Sequence, residues 1–208
     1  MDAGMKDTYL TLAEASEGFY KEKGSKFIGL AYPIKKEEQV KEIIDGLKKQ
    51  YYDARHHCYA YVLGNDGERF RANDDGEPGH SAGDPILGQI RSHNLTNLLI
   101  VVVRYFGGTK LGVPGLVHAY RTAAADAIEE GEIVEKILMI DIPFRFEYLS
   151  MNDVMKLIKE YDLQILNQHF DNLCEMEISV REKRFAEVLE KLKKIDGVDV
   201  LLEEEDKK

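Results

Sequence analysis

The sequence predicts an α+β protein of two domains, and three observations carry that class. Residues 98–103, LLIVVV, form an apolar, β-branched run between Asn97 and Arg104, the pattern of a central strand covered on both faces. Gly107, Gly108, Gly112 and Pro114-Gly115 follow. Leu116, Ala119, Tyr120, Ala123 and Ala127 then recur at helical spacing, so the run leads through a glycine-rich turn into a helix that starts near Pro114. After residue 135 the periodicity reads β-α-β-β-α-β over about 70 residues, the split βαβ pattern of a ferredoxin-like domain. The expected division is residues 1–135 and 136–208.

Taken in order, residues 8–15 and 18–22 read as two strands joined by a turn at Ser16-Glu17-Gly18, and residues 26–34 as a third, together an antiparallel meander. Val40, Ile43, Ile44 and Leu47 mark a helix over 36–51, with Glu37, Glu38 and Glu42 early and Lys48 and Lys49 late, as the helix dipole favours. Residues 55–63 and 67–73 read as a hairpin around the turn Gly64-Asn65-Asp66-Gly67. Residues 74–85, DDGEPGHSAGDP, hold four acids, one histidine, three glycines and two prolines, a loop composition; a short helix over 85–93 follows, capped by Ser81 or Asp84. In the second domain, strands are expected at 137–146, 163–170, 174–180 and 198–203, helices at 148–161 and 182–195, a turn at Asp171-Asn172 and a solvated tail EEEDKK.

The chain has 208 residues, 44% hydrophobic and 32% charged, and no run approaches the roughly 18 apolar residues that span a membrane. Its N-terminus shows no signal-peptide pattern, and Cys58 and Cys174 lie far apart without CxxC spacing. The expectation is a cytoplasmic protein with reduced thiols and no membrane partner. A net charge of −10 argues against charge-driven wrapping of nucleic acid. Neither half is a basic arm, with 16 basic and 21 acidic residues up to residue 135 and 12 and 17 beyond it.

Four constellations bear on function. Arg55-His56-His57-Cys58 lies on a strand, where His56 and His57 face opposite ways and only His56 and Cys58 share a face; no metal or other cofactor is expected. Asp74, Asp75, Glu77 and Asp84 are the carboxylates available for acid/base or cation chemistry, although turn-making and, for Asp84, helix capping account for them as well. His80 beside Ser81 lacks a nucleophile elbow. Residues 104–112, RYFGGTKLG, are neither a Walker loop nor GxGxxG. Amides near Gly107 and Gly108, the following helix dipole, Arg104 and Lys110 there make a candidate anion cradle, lined by Arg55, His57, Tyr105 and Phe106. The bland alternative is a tight turn with packed aromatics.

The segments DARHHCYAYV from Asp53, ANDDGEPGHSAGDPIL from Ala72 and VVRYFGGTKLGVPGLVHAY from Val102 resemble the IMPACT/YigZ family of translation-linked proteins. The resemblance covers nearly the whole chain and matches the two-domain bacterial members. It implies an N-terminal domain of the ribosomal-protein and elongation-factor βαβ type and a C-terminal domain similar to the last domain of elongation factor G. The family's eukaryotic members act by protein contact, relieving translational control exerted through an initiation-factor kinase, but they have an additional domain absent here, so that mechanism does not carry over whole. The resemblance supplies no catalytic residue.

The function expected from these readings is non-enzymatic: binding of RNA or a ribosome-associated partner through the glycine-rich turn. Two rivals stand beside it. One is a metal-assisted enzyme acting on a phosphorylated small molecule through Asp74, Asp75 and Glu77, and the other is a protein-binding module.

Overall fold

The computed structural model describes residues 7–64, 67–171 and 173–202. The chain divides into two compact units, Thr8–Lys136 and, with Asp7, residues from Ile137 onward. Among the described residues, no helix is long and apolar enough to cross a membrane.

The larger unit holds β1 (Thr8–Leu12), β2 (Ser16–Glu22), β3 (Ser25–Pro33), α1 (Glu37–Gln50), β4 (His56–Leu63), β5 (Arg69–Asn73), α2 (Gly83–Ser92), β6 (Leu98–Tyr105), α3 (Gly112–Glu129) and most of β7 (Ile133–Ile137). Five strands form one sheet in the order β2-β3-β6-β4-β5, and its pairings are antiparallel. The apolar run therefore sits at the middle of the sheet. Its alternation divides the core: Leu98, Ile100 and Val102 pack with α2 and α3, while Leu99, Val101 and Val103 pack with α1. All six are fully buried.

Helix α3 approaches the sheet closely because Gly18 and Gly29 are directly opposed across β2 and β3. A Cβ added at either would stand 2.2 Å from α3 backbone, at Ala127 N or Ala123 O. Two adjacent bare positions thus make the seat for the helix.

Two expectations about this unit are corrected. Residues 16–18 begin β2 instead of turning the chain, and β1 pairs with β7, not β2, so the meander comprises only β2 and β3. The pairing of β1 with a strand so distant in the chain has no local signature. Residues 133–137 form β7, separate from the next strand, where the sequence predicts one continuous run from 137. Asn65 and Asp66 of the expected hairpin turn lie outside the described residues, as do Asn172 and the acidic tail.

The smaller unit runs β8 (Met139–Phe146), α4 (Met151–Tyr161), β9 (Gln164–His169), β10 (Cys174–Arg181), α5 (Glu182–Lys193) and β11 (Val198–Val200). Its sheet order is β11-β8-β10-β9 with antiparallel pairings, the fourth, first, third and second strands of a ferredoxin-like βαββαβ fold. Ile142, Phe144, Phe146, Met176, Ile178 and Val180 point to one side and bury the stripes Val154, Leu157, Ile158 of α4 and Val188, Leu192 of α5.

Candidate functional site

The conspicuous polar feature of the larger unit lies where β4 and β6 meet loop 74–82. His56 of β4 is opposite Arg104 of β6. The side chain of Arg104 points to the α2/α3 side and is only 7% exposed; its Nη1 donates to Glu77 Oε1 at 2.5 Å, and the Glu77 side chain is 4% exposed. The same Glu77 oxygen accepts the Tyr120 hydroxyl from α3 at 2.7 Å. The Cys58 thiol reaches both Tyr120 Oη, at 3.3 Å, and the Asp74 carbonyl, at 3.0 Å. A loop carboxylate, a strand guanidinium, a helix phenol and a strand thiol therefore form one buried network, closed by Phe27, whose ring stands edge-on to Tyr120.

Asp74 organises the loop itself. Its Oδ1 accepts from the Ala82 and Gly83 amides at 2.9 and 2.8 Å, and its Oδ2 from the His80 amide at 2.9 Å. Partial burial works against its charged form, but the three N–H donors outweigh it and hold its carboxyl below the usual carboxylate range. Asp74 is thus the cap of α2, reaching from nine residues away to Gly83, in place of the expected Ser81 or Asp84. Ser81 instead donates to the Pro78 carbonyl at 2.6 Å, and Asp84 pairs with His80 Nδ1 at 2.6 Å. The hydrogen bond to Asp84 raises the His80 pKa, and the Ser81 hydroxyl is turned to the Pro78 carbonyl rather than to His80. Asp75 ties the loop to β4: its Oδ2 accepts the His57 amide at 2.7 Å, and its carbonyl meets His56 Nδ1 at 2.8 Å.

The expected cradle is divided. The sheet separates Arg104 from His57 and Tyr105, which lie on the α1 side with Val103. His57 is buried, and desolvation lowers its pKa. The Tyr105 hydroxyl donates to Asp53 at 2.8 Å; burial, then that bond, pushes its pKa up to about 12. Arg104 is an ion-paired core residue, not a surface cation. The Gly107 amide is spent on Ser25 Oγ at 3.1 Å, and its Cα is so close to Gly24 that an added Cβ would stand 1.9 Å from backbone. Gly108, Thr109 and Lys110 are exposed, as is Arg55. Phe106 is 48% exposed and its ring lies 5.7 Å from the Arg104 guanidinium carbon. Gly108 has φ +86° with nothing within 4 Å of an added Cβ. Helix α3 begins at Gly112, two residues before the expected Pro114, and carries no side-chain cap.

By sequence, Tyr120 reads only as part of the apolar stripe of α3. The signal for more is a phenol among Ala119, Ala123 and Ala124, since a buried hydroxyl requires a partner. No three His, Cys, Asp or Glu side chains among the described residues are grouped to hold a metal ion.

Residues 23–128 match the Impact N-terminal domain family. The chain is 34% identical over 179 residues to IMPACT family member YvyE of Bacillus subtilis (strain 168), covering 86% of this chain and 82% of that one. It is 30% identical over 172 residues to IMPACT family member YigZ of Escherichia coli (strain K12), covering 82% and 84%. A crystal structure described as that of a hypothetical protein superposes with a TM-score of 0.73 at 28% identity, over 96% of this chain and all of the other.

Proposed function

The chain belongs to the IMPACT family, and from that premise we propose that it regulates translation without chemistry of its own, by binding RNA or a ribosome-associated partner at the exposed turn 106–113. The observation that carries this reading is the contrast within the turn. Arg104 and Gly107 are locked into the core as a base, while Phe106, Gly108, Thr109 and Lys110 project from it beside the uncapped start of α3. The first-turn amides of α3, which no side chain among the described residues caps, and Lys110 favour an anion, and Phe106 offers a stacking face. The loop acids favour binding over catalysis: Asp74 is filled by three amides, Glu77 by Arg104 and Tyr120, and Asp75 by the β4 backbone.

The test is co-sedimentation with ribosomes and with single-stranded RNA, comparing wild type with Lys110→Glu and Phe106→Ala. Arg104→Ala is unsuitable, because it would leave Glu77 buried and uncompensated. Binding by wild type that falls in both variants, with a shallow salt dependence of one or two neutralised phosphates, is expected. Equal sedimentation of all three proteins refutes the assigned surface.

A further inference from the structure

We propose a second docking site at the outer edge of β5, which takes an extended peptide segment alternating acidic and apolar residues as a sixth strand of the sheet. The inference stands apart from the reading of the glycine-rich turn. Strand β5 is the last in the order β2-β3-β6-β4-β5, and among the described residues its outer edge makes no backbone hydrogen bond to any other segment. Such an edge is a template for strand addition, in which backbone bonds give affinity and alternate side chains give specificity.

The register of β5 on β4 assigns its faces. Arg71 is opposite Tyr61 and Arg69 opposite Leu63, so both arginines lie on the α1 side; Phe70 is opposite Val62 and lies on the α2 side. Phe70 is 49% exposed, with the Arg91 guanidinium of α2 4.0 Å from its ring centroid. A strand laid against β5 thus meets arginine, phenylalanine, arginine in alternation. Cross-strand pairs of opposite charge stabilise a sheet and like charges destabilise it. The complement is acidic at the two positions facing Arg69 and Arg71 and apolar between them. Beside the strand, a groove of about 510 Å³ between α1 and the sheet gives room for side chains on the α1 face. It is floored by Tyr59 and Tyr61, with Lys41, Lys48 and Arg71 interleaved among Glu37, Glu38, Asp45 and Asp75, so the positive charge that selects the strand comes from Arg69 and Arg71 at the edge itself.

The arginines serve selection as well as attraction. Two copies of this edge repel each other, which suppresses self-pairing, whereas an acidic strand meets no such penalty. In a chain of net charge −10, this edge carries Arg69 and Arg71 on one face and, on the other, Phe70 under the Arg91 guanidinium.

The experiment is fluorescence anisotropy of the full chain with a labelled seven-residue peptide of alternating Glu and Val. Hydrogen exchange of the Arg69–Asn73 amides is followed in parallel. The peptide is expected to bind, to protect those amides, and to lose at least tenfold in affinity against Arg69→Glu with Arg71→Glu, whose side chains are exposed and leave the core untouched. Two N-methylated versions, blocked at odd or at even residues, separate strand pairing from charge attraction; one phase binds and the other does not. Failure to bind, equal affinity for the double variant, or indifference to N-methylation each overturns the proposal. So does a single-stranded oligouridylate that needs Arg69 and Arg71 while the peptide does not bind, which would make the patch a nucleic-acid contact.

Discussion

Glu77 and Arg104, 27 residues apart in sequence, meet in a buried ion pair of 2.5 Å whose carboxylate oxygen also holds the Tyr120 hydroxyl. The pair joins loop 74–82 to the central strand and to α3. Loop and turn are therefore held in fixed relation by one oxygen atom.

Breaking one partner should cost far more than removing both. Glu77→Ala leaves a guanidinium in the core without its counter-charge, for an expected loss of about 3–5 kcal/mol in urea unfolding. Glu77→Leu combined with Arg104→Met removes both charges, as well as the Arg104 Nε that has no partner, and should recover most of that loss. If the double variant were no more stable than the single one, the pair would be stabilising in its own right, not held by mutual compensation.

The two adjacent glycines of the turn should respond differently to the same methyl group. At Gly107 an added Cβ meets Gly24 backbone at 1.9 Å, and backbone cannot give way cheaply. Gly107→Ala should lose about 3 kcal/mol or more, or fail to fold. At Gly108 the new methyl meets nothing, and only the left-handed φ of +86° opposes it, for a loss of about 1–2 kcal/mol. Thermal unfolding of the two variants gives the order; a larger loss at Gly108 would contradict the packing described.

What the sequence discloses and what it hides divide along contact range. The central position of β6 follows from six consecutive apolar residues, and the βαββαβ unit from strand and helix periods that are local properties of each segment. The site is legible only in part. Residues 104–112 are recognisable as a glycine-rich strand-to-helix turn, but nothing local says that Ser25 takes the Gly107 amide or that Glu77 neutralises Arg104. Each partner is fixed by tertiary packing. Alternation along β6 does predict that Arg104 and Tyr105 face opposite ways, and a cradle using both is at odds with that period.

Asp74 should make α2 and its loop sensitive to acid. Its carboxyl pKa is depressed in the folded state, so its stabilisation is fully present above the ordinary carboxylate value near pH 4 and is lost as pH falls through the folded pKa below it. Asp74→Ala should cost about 0.5–2 kcal/mol at pH 7, the range of a lost helix cap, and the gap from wild type should narrow as pH falls below the ordinary carboxylate range. Hydrogen exchange at His80, Ala82 and Gly83, the three amides it accepts, should rise selectively in the variant. A stability difference that does not vary with pH would mean that charge plays no part in the cap.

Cys58 offers a direct test of the non-enzymatic reading. Burial pushes its thiol well up, and although the Tyr120 hydrogen bond pulls the other way, the Glu77, Asp75 and Asp74 carboxylates reinforce the rise. A catalytic cysteine needs the opposite: an accessible thiolate held near neutral pH by positive charge. Native Cys58 is fully buried and should react with an alkylating reagent at pH 8 only as fast as the structure opens, with full labelling in urea. Tyr120→Phe removes the thiol's hydroxyl partner without adding positive charge, so it should raise the rate only through looser packing. Rapid labelling of the folded wild type, at the rate of a free thiol, would reveal an activated nucleophile; the enzyme reading would then displace the binding one.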